Sequence, residues 1–418
     1  MNSQDDLERW SIDGQSNDEA LLLVGELIDF AADQSSAVYT DRAFSLLDAL
    51  SKRDLSNTDH ALLHYFRSNA WEVRRQSRNE HRSWAWELAA SEEQLLELRR
   101  SIRHPGFDDL DRIRRCQIFT NLGNQMNTIG RFIEAIAYWD KALEILPNFA
   151  MALANKALAF RHYASTVYDE GHSDLLGLFA HDCFGEALAE NAIFEGEGEE
   201  RLRVQFLSYQ TEIESVFDVE FIRQNVDLED HGIGETDDER SYRTWCLQNR
   251  LFLNPLNDLG PLPIAGQDIF TLPSLTTSIG APMPETIGLF NQIKQEFVTA
   301  RYLFYEGLRA TQTNNTPHFS DGNVLLYDTL DSPVYGLAVE KMRLTYRMAY
   351  SVFDKIGYFI NSYFDVGHSL NWVNFRNVWY SKKNKKLLSS FSDSQNWPLR
   401  GLFWLSKDFF DQEFKKTA

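Results

Sequence analysis

Phe119 to Pro147 constrains the fold most, because it reads as one complete helix hairpin of a repeating kind. The run FTNLGNQMNTIGRFIEAIAYWDKALEILP sets Leu122 and Gly123, then Ala135, Trp139 and Ala142, at the spacing of two antiparallel helices in a repeat of about 34 residues. Small Gly123, Ala135 and Ala142 let the helices approach closely, while Phe119, Leu122, Ile136 and Trp139 fill the seam between them. Gly130 sits where the turn must be. Pro147 cannot continue a helix and so ends the unit. One such hairpin cannot bury its apolar face alone, so it predicts stacked neighbours.

This spacing resembles a tetratricopeptide repeat, and the flanking chain carries more of it. Downstream, NFAMALANKALAF places Leu153, Ala157 and Phe160 one period after the first helix of the hairpin. Upstream, apolar stripes predict helices at about Asp18 to Ala32, Thr40 to Lys52, from the caps Asn57, Thr58 and Asp59 onward, and at about Arg82 to Arg103, ending before His104, Pro105 and Gly106. In arrays of this kind the first helix of each hairpin lines one face. Asn121, Asn124, Asn155 and Arg161 are therefore candidates for a peptide groove; the other reading makes them ordinary solvated polar positions.

Charge excludes some partners. The chain has 41 Lys plus Arg against 61 Asp plus Glu, a formal charge of -20, so its whole-molecule field repels duplex nucleic acid and anionic lipid and leaves room only for local contacts with RNA. Between Glu195 and Arg240 the balance is 15 acids against 4 Arg, and GEGEE and ETDDE read as solvated loops around one or two helices. The glycines at Gly196 and Gly198 cannot cradle phosphate among glutamates. Cys116, Cys183 and Cys246 are far apart and odd in number, which fits a reducing compartment rather than a disulfide framework. With no signal-peptide pattern in MNSQDDLERW and no apolar run of membrane-spanning length, the expected location is cytoplasmic, with no membrane partner. His181, Asp182 and Cys183 read as a packed helix face rather than a metal site. Neither a metal nor a cofactor is expected.

A boundary follows. Residues 251–284 hold 6 of the 11 prolines together with Leu251, Phe252, Leu253, Ile264, Ile269 and Phe270, which predicts an ordered, extended strap with Asn254, Asn257 and Asp258 as turn residues. Beyond it the periods lengthen. Leu289 to Leu308 and, capped by Asp331, Ser332 and Pro333, Tyr335 to Tyr363 form stripes of twenty residues or more, and another helix follows Trp397 and Pro398. Long helices without short hairpins predict a bundle. The expected fold class is all-α: a repeat solenoid over 1–240, the Pro-rich strap over 241–284, and a long-helix bundle over 285–418.

NRLFLNPLNDLG at Asn249 to Gly260, SPVYGLAVEKMRLTYRMAYSVFDKIGYFINSYF, and NWPLRGLFWLSKDFF together resemble bacterial proteins that join an N-terminal tetratricopeptide-repeat array to a HEPN domain. The resemblance implies a helical bundle that often dimerises and, in many members, a metal-independent endoribonuclease of a toxin, antiphage or stress system, with an Arg and a His on the final helix. This chain departs there. From Asn249 onward its histidines are His318 and His368, and neither follows an Arg at the family's spacing. Arg99 with His104 and Arg75 with His81 have that spacing but lie in the repeats. No catalytic residue is therefore assigned. The family's final helix is expected beyond Phe414, so Leu402, Phe403, Phe409 and Phe410 are expected to want a partner surface, from a second copy or another chain's helix. The two readings are an RNA-directed effector and a noncatalytic repeat scaffold or regulator.

SKKNKK supplies a local exception to the acidity. Lys382, Lys383, Lys385 and Lys386 follow Trp379 and Tyr380, a cationic patch beside candidate stacking surfaces for RNA; the alternative is a solvated loop.

Overall fold

The computed structural model describes residues 10–78, 84–195, 198–274, 276, 282–312, 318–327, 335–412 and 414. The fold is all-α and divides into two compact units, residues 1–226 with 394–418, and residues 227–393.

The first unit is a solenoid of helix pairs: α1 (Asn17–Asp33) with α2 (Ala37–Leu50), α3 (Asn57–Ser77) with α4 (Ala89–Arg103), α5 (Arg112–Thr128) with α6 (Phe132–Ile145), α7 (Ala150–Ala164) with α8 (Glu170–Ala187), then α9 (Glu199–Glu214) and the short α10 (Val219–Asn225). The starts are written in the sequence. Ser16 with Glu19, and Ser56 with Asp59, form reciprocal capping boxes, and Asp111, Asp169 and Asp218 accept a backbone N–H of their first turns. The α3 cap is thus Ser56, one residue before the predicted caps. The α4 helix begins at Ala89 rather than near Arg82, in a stretch where 79–83 lie outside the described residues.

The hairpin α5–α6 has the expected anatomy. A Cβ on Gly123 would stand 2.5 Å from Trp139 Nε1, so only glycine lets that indole, 1 % exposed, lie against α5. Gly130 turns the chain at φ +93°, and Leu153, Ala157 and Phe160 of the next pair are buried in turn. Burying a side chain the size of Phe160 contributes roughly 1.5–3 kcal/mol, which is why the hairpins stack instead of standing alone.

The last helix, α15 (Trp397–Phe410), clusters with this first unit. Several contacts hold it against the repeats. Trp397 stacks on Phe132 at 4.7 Å and its Nε1 donates to Asn127 O, and Trp86 meets Phe403 at 5.6 Å. Backbones touch at Gly401, where a Cβ would lie 2.2 Å from Gly130 O. Phe403 and Phe414 are therefore buried, and Leu402, Phe409 and Phe410 half-buried: the repeats supply the surface that these side chains were expected to seek elsewhere.

The second unit contains α11 (Asp237–Gln248), the strap, α12 (Glu285–Gln312), α13 (Leu337–Tyr363) and the one-turn α14 (Ser389–Ser392). ETDDE is not a loop. Thr236 caps α11, and Asp237, Asp238 and Glu239 form its first turn, where the helix dipole favours acids. The strap runs through two short 3-10 turns, Pro255–Asp258 and Pro263–Ala265. Asn254 Oδ1 accepts from Leu256 N, and buried Asn257 bonds Phe252 N, Leu247 O and Gly260 O, the turn roles that the sequence suggests. Buried Arg301 of α12 ties the strap down through two bonds to Asp268 and one to Leu251 O. The long helices α12 and α13 pack as an antiparallel pair. The predicted caps Asp331, Ser332 and Pro333 lie outside the described residues.

Candidate functional site

The four lysines of SKKNKK stand on one tight turn. Below it, Phe375, Trp379 and Phe391 are completely buried, with Trp379 5.3 Å from Phe391 and its Nε1 donating 2.8 Å to Phe375 O. This anchor holds two short extended arms together. Tyr380 pairs with Leu387 in an antiparallel bridge, Ser381 N donates to Lys386 O, and Lys385 N donates to Ser381 O. Lys385 takes the left-handed conformation, φ +57°, that reversing the chain here requires, and Asn384 Oδ1 accepts Lys386 N inside the loop. Lys382, Lys383, Lys385 and Lys386 are all exposed as a result, and none is ion-paired among the described residues.

The aromatic side chains near the turn differ in exposure. Trp379 is wholly buried as the turn's anchor and is not available to a base; Tyr380 is half-buried. Trp372 is half-buried, with the Lys385 ammonium 5.2 Å over its ring and His368 edge-on at 4.3 Å. Asn361 at the end of α13 fixes His368 by bonding both its N–H and its carbonyl. Burial holds the His368 imidazole below its ordinary value, and its Nε2 has no partner among the described residues. The chemistry on offer is a cluster of cations beside an aromatic face, suited to phosphates and unpaired bases. Sequence proximity concealed Trp372 and His368, because only the turn returns Lys385 to them.

The amide candidates in the repeats separate. Asn121 and Asn124 line a groove of about 770 Å³ between α1, α3, α4 and α5, together with Asp29, Tyr65, Glu72, Arg114 and Glu195. Asn121 donates to Asn69 Oδ1 across it, and Asn124 Oδ1 accepts from Trp139 Nε1. Burial raises the Asp29 and Glu195 carboxyls above their ordinary values. Asn155 and Arg161 are not among its lining: Asn155 bonds back to Met151 O on its own helix, and Arg161 pairs with Glu212 at 2.7 Å. Asn155 lies 34 residues, one period, after Asn121, yet it is outside that lining.

The Arg–His pairs of suitable spacing in the repeats have structural partners. Arg99 is bound to Asp408 and Arg75 to Glu72, while His81 lies outside the described residues. His318 Nδ1 accepts Ser320 N as a 3-10 cap. His181 meets Asp182 and Glu214 at 3.1 Å each, and burial pushes the Cys183 thiol up to about 12, so it is not a thiolate ligand near neutrality. Among the described residues no group of three or more His, Cys, Asp or Glu is arranged to hold a metal, and no helix is long and apolar enough to cross a membrane.

Residues 277–418 match the family model described as LA2681-like HEPN. A HEPN-like domain is present. The match takes in the α12–α13 pair and the lysine turn of the second unit, and α15 of the first. The helical repeats that precede it fit the architecture of a repeat array followed by HEPN. Among curated proteins and solved structures, none matches this chain.

Proposed function

We propose that this chain is an RNA-directed HEPN protein that holds single-stranded RNA on the lysine turn without cutting it alone. The observation that carries the proposal is the turn itself: in a chain of net charge -20, four exposed lysines gather beside Trp372, Tyr380 and His368, where phosphates meet cations and a base meets a ring. HEPN-type cleavage needs an imidazole for proton transfer and a guanidinium at the same phosphate, and proton transfer alone typically contributes ~10²- to 10⁴-fold. The histidines after Asn249 lack the Arg at the required spacing, which supports binding without chemistry. A bacterial toxin, antiphage or stress setting and a cytoplasmic location belong to the same proposal through the resemblance, as does a second copy covering α13, whose Leu344, Tyr346 and Tyr350 are exposed.

Filter retention of labelled single-stranded RNA with EDTA present tests it. The intact chain retains RNA of unchanged length, and replacing Lys382, Lys383, Lys385 and Lys386 by Ser abolishes retention. Unchanged retention by that variant, or shortened RNA, refutes the proposal.

The scaffold reading draws on the repeat groove. With Glu26, Asp29, Glu72 and Glu195 beside Asn121 and Asn124, it suits a protein segment carrying Lys or Arg, its backbone read by the amides. This role is compatible with RNA binding by the other unit.

A further inference from the structure

The first unit has a second cavity, of about 750 Å³, where the ends of α5 and α7 and the start of α4 meet α15. Trp84, Ser91, Asn127, His162, Trp397 and Arg400 line it, and its size lies in the range of small-molecule sites. Its central feature is Arg400, 8 % exposed. Nη2 of this guanidinium donates to Thr128 O, and its Cζ lies over the Trp84 ring at 4.6 Å. Nε is buried with no partner, and no carboxylate pairs with the group among the described residues. Its charged neighbour is another cation, Arg75, already held by Glu72.

Buried charges in proteins are paired as a rule, and the other buried arginines here obey it: Arg99 and Arg131 share Asp408, and Arg301 holds Asp268. Arg400 alone in this comparison has no acid. Two more polar atoms of the same lining, Ser91 Oγ and Asn127 Oδ1, are also buried without a partner. The walls near them are aromatic. Trp84 is 40 % exposed at the rim, and Trp397 lies edge-on to His162 at 5.9 Å.

We propose that this cavity binds a small oxyanion attached to a planar ring, of the size and chemistry of a nucleoside monophosphate, with the anion on Arg400 and the ring against Trp84. An oxyanion supplies the acceptor and the negative charge that the guanidinium lacks, and Arg matches the fork geometry of phosphate or carboxylate. An indole at the rim offers a face to any planar ring. Because α15 carries both Arg400 and Trp397 while the repeats carry the rest, an occupant ties this helix to the array.

Calorimetric titration of the full chain with AMP, adenosine, inorganic phosphate and indole-3-acetate tests the assignment. AMP binds at least about tenfold more tightly than adenosine or phosphate, since each of these keeps only half of the contacts. Arg400→Met costs at least about tenfold for AMP, and Trp84→Leu, at an exposed position, lowers the affinity for AMP but not for phosphate. Tighter binding of indole-3-acetate than of AMP, equally lost in Arg400→Met, supports the site with a carboxylate as its anion. Absence of binding by both, or binding unaffected by Arg400→Met in a variant of unchanged helical content, overturns it.

Discussion

Arg99 and Asp408, 309 residues apart in sequence, meet through two hydrogen bonds of 2.7 and 2.8 Å, and Arg131 donates to the same carboxylate. This shared acid fastens α15 to the hairpins α3–α4 and α5–α6, and all three side chains are buried. Two arginines around one aspartate leave a surplus charge that Glu134, bound to Arg131, offsets.

Replacing Asp408 by Asn leaves the buried Arg99 guanidinium without its acid and Arg131 with Glu134 alone, and such loss of one partner costs about 3–5 kcal/mol. Burial alone would push the Asp408 carboxyl up, but the Arg99 bonds and the Arg131 charge prevail and hold it below its ordinary value. A depressed acid contributes stability above its unfolded value, about 3.9, and loses it as pH falls through the lower folded one. The denaturant midpoint of Asp408→Asn thus falls well below that of the parent at pH 7, and the gap narrows as the acid limb is entered. A constant gap would contradict the assignment.

Arg400 obeys the opposite sign. Burial, with Arg75 nearby, lowers its guanidinium to about 10, so the folded state disfavours its charge at every pH below that value. The penalty lessens as pH rises from about 10 toward the unfolded value of 12.5 or more. Arg400→Met, which fills similar space without charge, raises the unliganded chain's stability by about 1–2 kcal/mol near pH 7. A clear drop in melting temperature would show that Arg400 has a compensating partner within the fold.

Two tryptophans of the second unit separate structure from contact. Trp379→Ala empties the anchor under the lysine turn and costs about 3–5 kcal/mol of that unit's stability. Trp372→Ala leaves the melting curve nearly unchanged and weakens RNA retention by about 1–3 kcal/mol, the value of one stacked base. The reverse pattern would return the stacking role to Trp379.

Salt reports the lysines directly. If each of the four holds one phosphate of a single strand, the slope of log affinity against log salt shrinks by about 0.7 for every Lys→Ser replacement. Retention independent of salt would indicate contacts other than phosphate.

The repeats were legible because their signals are local. Gly123 with Trp139 and the turn at Gly130 act within one hairpin, so their spacing survives as sequence. The seat of α15 was not legible. Trp397 and Pro398 read only as the lead into a helix, and only the fold shows that Phe132 receives Trp397 and Gly130 receives Gly401. Trp379 and Trp372 show the same limit at the candidate site. Both flank a basic run, and which one is buried depends on Phe375 and Phe391, not on either tryptophan's neighbours.

Ultraviolet crosslinking of the full chain to single-stranded RNA, with the attached peptides mapped by mass spectrometry, tests the central claim most directly. The lysine turn as the RNA surface predicts crosslinks in 368–387, with Trp372 and Tyr380 as principal attachment points and loss of these adducts when the four lysines become Ser. Crosslinks confined to the repeat helices, or undiminished in that variant, would contradict it.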